Sequence, residues 1–295
     1  MRAIRRALLF ASFALLALAF ATHPARAQVD LSGSYSQTAS QDNTTDPFIG
    51  DYTGLPVNDA VRLRADSWTA AKWDQEQHEC DPHPADYAPR APGGLRIWPE
   101  LDPLTYAVLA WHFEVFTNGT ARTIYMDDRR QPSPYSVQTW NGFSTGKWEG
   151  DKLKVTTTNL KEGWLRRNGL ARSNKATLIE YFIRHGDFLT IVSIVKDPVY
   201  LTEPLVRTER WFLNPGYTLA PFICTPRDVV DKPPSWVPHH LPGTNDFLKE
   251  FPSNFGIPVE ATRGGAETMY PEYIQKLATL PAPPPPPAKS GANKP

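Results

Sequence analysis

In the segment "YAVLAWHFEVF" (106–116), His112 stands within a run of alternating apolar residues, with Glu114 two positions on. An imidazole changes charge near neutral pH, and a carboxylate on the same strand face makes such a pair a candidate for proton transfer. Alternation sets His112 and Glu114 with Val108, Ala110 and Phe116, opposite Leu109, Trp111, Phe113 and Val115. The second face is the more apolar, so packing alone turns His112 toward solvent; only a polar-lined cavity would bring it inward. Tyr125, Asp127 and Glu180 complete the candidates for acid–base work. Glu114, Arg122, Trp140 and Trp148 are the candidates for contact with a ligand. Asp127, Asp128, Arg129 and Arg130 crowd one strand end, where such charges form exposed ion pairs or, alternatively, clamp a ligand carboxylate.

Other chemistries lack their motifs. There is no Gly-x-Ser-x-Gly elbow, no zinc-binding His-Glu-x-x-His helix and no phosphate-binding glycine loop, and no cofactor is implied. Ser144 in "GFSTG" lies in a strand pattern rather than at a strand-to-helix turn. "HECDPH" (78–83) offers metal-ligand types in His78, Cys80 and His83, but two prolines stiffen it and no second compact cluster supplies the remaining ligands, so no metal site is expected. The two cysteines, Cys80 and Cys224, are read as a disulfide suited to an oxidising compartment.

These groups need a scaffold, and the chain supplies a period-two pattern from 106 to 213. Seven segments alternate: 106–116, 121–127, 141–149, 152–160, 176–184, 188–196 and 205–213. Asn118-Gly119, Gly150-Asp151 and His185-Gly186-Asp187 are hairpin turn signals between them. Antiparallel strands in such a meander must hide their edges, which favours a mainly β, up-and-down barrel of lipocalin-like form, with a two-sheet sandwich as the alternative. Gly142, Gly146 and Gly150 read as bends and a turn, with Trp140 and Trp148 packing over them. Before the strands, "NDAVRLRADSWTAAKWDQEQ" predicts one helix capped by Asn58, with Val61, Ala65, Trp68 and Trp73 along a single face.

The ends carry different signals. Arg2, Arg5 and Arg6 precede an apolar run over 7–21 and Ala25-Arg26-Ala27, the layout of an export signal cleaved after residue 27. The run is shorter than the roughly 20 residues of a spanning helix, and no later run could span a bilayer, so no integral membrane segment is expected after cleavage. Cleavage removes four of the 31 basic residues and none of the 31 acidic ones, leaving a net charge of −4 and no basic field for nucleic acid. The expected organisation is a signal peptide at 1–27, the barrel domain with its helix at 28–224, an irregular extension at 225–280 and a disordered proline-rich tail at 281–295.

The blocks "RTIYMDDR", "GFSTGKWEGDKL", "KEGWLRRNGL" and "DPVYLTEP", in this order, resemble those of a broad family of exported bacterial proteins. The match spans about 58–224. It implies export to the periplasm or beyond and no particular activity. The family block carries glycine after its first aspartate, so Asp128 is a departure at a turn that glycine would relax. "WEGDKL" is similar to the tryptophan-containing turns of small lipocalin-like barrels, which implies a hydrophobic cavity. Three functions follow as expectations: capture of a small, largely apolar ligand in the barrel; an isomerase, cyclase or hydrolase using the same cavity; and an envelope interaction protein.

Overall fold

Nine strands close into a barrel in the computed structural model, which describes residues 29–38, 47–74, 78, 80–90, 93–116, 121–221, 223–226, 233 and 236–281. The expected signal peptide, the Asn118-Gly119 turn and all but the first residue of the proline-rich tail lie outside these residues. The strands are β1 (Gly33–Gln37), β2 (Gly94–Leu101), β3 (Val108–Val115), β4 (Arg122–Tyr125), β5 (Phe143–Glu149) and β6 (Lys152–Thr158). A two-stranded hairpin, β7 (Gly163–Trp164) and β8 (Ala171–Arg172), interrupts them, and β9 (Thr177–His185), β10 (Phe188–Lys196) and β11 (Leu205–Leu213) complete the barrel.

Around the ring the order is β1-β11-β10-β9-β6-β5-β4-β3-β2, with β1 paired to both β11 and β2. A closed ring with an odd number of strands cannot alternate direction at every step. One parallel neighbour pair is therefore obligatory, and it falls between β4 and β5, where Ile124 faces Ser144 and Tyr125 faces Thr145. The expectation of antiparallel pairing throughout is corrected at this seam. The intervening chain carries Pro132 and Pro134 and is too long for a hairpin, so β5 returns in the direction of β4. The inward face of β5 carries Gly146 here: a Cβ would come within 2.6 Å of Met126 Sδ and 3.0 Å of Ile124 Cγ2, so only glycine lets Ile124 fill the seam.

The lumen is filled by the chain's own side chains. Tyr35, Leu95, Ile97, Trp111, Phe113 and Val115 point inward from β1, β2 and β3, and Leu153, Phe182, Leu189, Ile191 and Trp211 meet them from the other side, all buried. Phe113 of β3 and Phe182 of β9 touch edge to face with centroids 5.6 Å apart, so opposite walls are in contact. Each large side chain so buried contributes roughly 1.5–3 kcal/mol.

One end of the barrel is sealed by a second apolar cluster. Helix α1 (Asp59–Asp66) is capped by the Asn58 side chain, which accepts from the Val61 amide at 3.2 Å, and it buries Val61 and Ala65. These pack with Tyr52, Leu165, Leu170 and Leu201. The helix is shorter than the spacing predicts. It ends at Ser67, and a 3₁₀ turn follows over Ala70–Asp74. Trp68 leaves the helix axis because its backbone pairs with His239, while the Asn245 side chain donates to the Asp66 and Trp68 carbonyls. Tertiary partners thus override the helical period.

Cys80 and Cys224 form the expected disulfide, with Cα atoms 5.8 Å apart. Among its described residues the C-terminal extension holds three short helices, α2 (Glu250–Phe255), α3 (Val259–Arg263) and α4 (Pro271–Leu277), and is more regular than its proline content suggests. No helix among the described residues is long and apolar enough to cross a membrane.

Candidate functional site

The residues picked out by type do not converge. His112 and Glu114 face outward, as packing alone dictates. The His112 ring stacks on Trp98 with centroids 5.2 Å apart, and its nitrogens lie 3.2 Å from Glu100 Oε2 and 3.3 Å from Thr123 Oγ1. Tyr125 also faces outward, packed beside Phe143 with the Arg129 guanidinium 3.7 Å from its ring centre. Asp127 is exposed and accepts from Arg129, whose hydrogen bond holds the carboxyl below its usual pKa range. Glu180 alone of the four acid–base candidates points into the barrel.

There Glu180 meets Arg122, proposed from sequence for a different role. Arg122 reaches across β5 and β6: its Nε donates to Ser144 Oγ at 2.9 Å, and its Nη2 donates to Thr157 Oγ1 at 2.6 Å and to Glu180 Oε2. Both side chains are buried, at 2% and 0% exposure. Arg122 Nη1 and Glu180 Oε1 have no hydrogen-bond partner among the described residues. A desolvated pair of this kind is closed off from solvent. Its place is architectural. Trp148 is half-buried at the rim of the barrel, and its Nε1 has no hydrogen-bond partner among the described residues.

A cleft forms elsewhere, at the barrel end sealed by α1. Its volume is about 270 Å³, near the lower bound for small-molecule sites. Four segments distant in sequence build it: the end of α1 with Arg64, Trp68 and Lys72; the disulfide-tied turn with His78 and Asp81; Trp140; and the β7–β8 hairpin with Glu162, Trp164, Arg166 and Arg167. Trp140 packs against Trp164 edge to face, 6.0 Å between centroids, rather than over the glycines as the sequence suggested. Trp68 supplies a third indole to the lining.

Each wall is fixed from behind. The hairpin is rooted by Arg172, fully buried, whose Nε lies 3.1 Å from both Asp86 carboxylate oxygens and whose Nη1 donates to the Lys161 and Ser173 carbonyls. Gly169 in the hairpin loop has φ +90°, and a Cβ there would lie 2.4 Å from Trp68 Cβ, so glycine permits the loop to touch the helix end. Arg64 donates to both Glu162 oxygens and to Tyr200 Oη, joining α1 to the hairpin. Burial works against the Arg64 charge, but these bonds outweigh it and raise its pKa. Arg166 donates to Asp51 Oδ2 at 3.2 Å, and His78 Nδ1 lies 3.1 Å from Asp81 Oδ2.

Of the residues proposed from sequence for catalysis or ligand contact, Trp140 lines this cleft. No single segment marks Trp68 and Trp164 as cleft residues: the helical period assigns Trp68 to a packing face, and Trp164 sits in "KEGWLRRNGL" with charged neighbours and no pattern. His78 was considered only as a metal ligand; among the described residues no group of three or more His, Cys, Asp or Glu is placed to hold a metal. Comparisons with protein-family models, with curated proteins and with solved structures returned no match.

Proposed function

We propose that the protein binds a small ligand with a flat apolar body, taken up in the end cleft and not inside the barrel. The single observation carrying this reading is the convergence of Trp68, Trp140 and Trp164 on one 270 Å³ concavity. Indole faces present broad, rigid apolar surface at little entropic cost, which suits them to ring-bearing ligands. The filled lumen supports the outer site by leaving the barrel interior to its own side chains. The dispersed positions of His112, Tyr125, Asp127 and Glu180 favour binding over proton-transfer catalysis. The compartment that fits is the periplasm or the exterior: the N-terminal residues read as an export signal, and the Cys80–Cys224 bridge suits an oxidising setting.

Native mass spectrometry of protein isolated from its own periplasm checks the reading. A copurifying small molecule is expected with the native chain and lost with Trp164→Ala. Retention of the same molecule by that variant, with unchanged affinity, would show that the cleft is not where it binds.

A further inference from the structure

The chain carries a run of five prolines, 283–287, and a cleft lined by three indoles, Trp68, Trp140 and Trp164. The two are chemically matched. Consecutive prolines favour the polyproline II helix, whose shape is set before binding, so that ordering it costs little entropy. Its backbone makes no internal hydrogen bonds, and grooves lined by aromatic side chains are the surfaces that take its rings up. Trp140 and Trp164 stand edge to face, which gives the cleft two differently inclined indoles. At about 270 Å³ the cleft admits rings from one edge of such a helix and not the whole run.

The position of the tail decides whose cleft it fills. The segment from α3 to α4 lies against one side of α1, where Arg62 pairs with Glu267 and Arg263 with Asp66. Arg64, which lines the cleft, is about 200° around the helix from both Arg62 and Asp66. Cleft and C-terminal helices thus occupy opposite faces of α1. Pro281 is the last described residue, and only Ala282 stands between it and the five prolines. At about 3.1 Å per residue the run begins about 6 Å beyond Pro281, while α1 is about 10–12 Å wide. A run that keeps its direction over several residues does not bend back around that helix. Met269, Tyr270 and Ile274, shortly before it, are exposed, so the segment leading into the run has further apolar surface to bury against another molecule.

We infer that the cleft accepts the proline run of a second copy of this chain. The inference rests on the cleft reading above and adds a partner to it: tail and small ligand use the same indoles and exclude one another. Cleft and tail are different surfaces, so the contact is heterologous, and each pair keeps one open cleft and one open tail.

Sedimentation velocity of the chain purified from its own periplasm, over a wide concentration range, tests it. The native chain should associate beyond pairs as concentration rises. Trp164→Ala, and separately a variant with prolines 283–287 replaced by serine, should each associate about tenfold or more weakly, as loss of an aromatic anchor or of its target does. Mixed, the two variants should form pairs and nothing larger, since one keeps the tail and the other the cleft. A synthetic peptide of residues 282–288 in excess should disperse the native assemblies. Should Trp164→Ala lose its cooperative melt, Trp140→Ala takes its place.

Monomers at every concentration, or assemblies that survive both variants, would overturn the inference. A monomer whose serine variant binds the peptide more tightly than the native chain does would place the tail in its own cleft, and overturn it too. The copurifying small molecule reports separately: its loss with Trp164→Ala from a chain that is always monomeric leaves the cleft reading standing. Its retention, together with assembly that ignores Trp164, would remove both.

Discussion

Two arginine–glutamate pairs in this protein share their chemistry and differ in surroundings. Arg122 and Glu180 sit inside the barrel at 2% and 0% exposure, while Arg64 and Glu162 span the cleft at 43% and 45%. In the lumen both ions have lost their water, and the hydroxyls of Ser144 and Thr157 replace only part of it. At the cleft, water still reaches both partners, and the pair acts as a strap between α1 and the hairpin. A buried charge is thus committed to one geometry, whereas the half-exposed charges at the cleft still share their hydrogen bonds with water. Burial, more than residue type, separates scaffold from site.

Removing one member of each pair is the sharpest way to break this contrast. Glu180→Gln leaves Arg122 uncompensated and should cost about 3–5 kcal/mol in urea unfolding, whereas Glu162→Gln should cost about 1 kcal/mol or less. The double replacement Arg122→Met with Glu180→Leu should recover most of the loss, since Ser144 and Thr157 lie 2.9 Å apart and can satisfy each other. Similar costs for the two single changes would mean that the lumen is wet and the contrast false.

An effect below that of Glu180→Gln is expected from Cys80→Ser with Cys224→Ser, at about 2–4 kcal/mol of unfolding free energy. Because the bridge anchors the turn bearing His78 and Asp81, cleft binding should weaken under conditions where the barrel remains folded by circular dichroism. Smallest is Asp128→Gly. Asp128 has φ 55°, a left-handed conformation that costs an ordinary side chain more than glycine. The change should stabilise the chain by about 0.4–1 kcal/mol in thermal unfolding and leave the cleft untouched.

The barrel was legible because period-two alternation between Val108 and Leu213 survives in sequence wherever one face is buried. Strands β1 and β2 were not. β1 reads "GSYSQ", with Tyr35 its one large apolar residue, and β2 contains Pro99, which marks a loop in most contexts. The structure tolerates Pro99 because the pairing of β2 with β1 ends at Ile97, so no partner on that side calls for its missing N–H. The turn at Asp128 is left-handed, with φ 55°, and an aspartate tolerates that conformation better than most side chains. The cleft was not legible, because Trp68, Trp140 and Trp164 meet only after the chain has folded.

The short strand β1 carries a consequence for solubility. It joins β11 through Tyr35, Ser36 and Gln37 and β2 through Gly33–Ser36, and these few residues close the ring. A chain lacking them would present two bare edges, one of them the nine-residue β11. Unpaired edges recruit strands from other molecules, so a five-residue segment separates a closed ring from a chain prone to stack edge against edge.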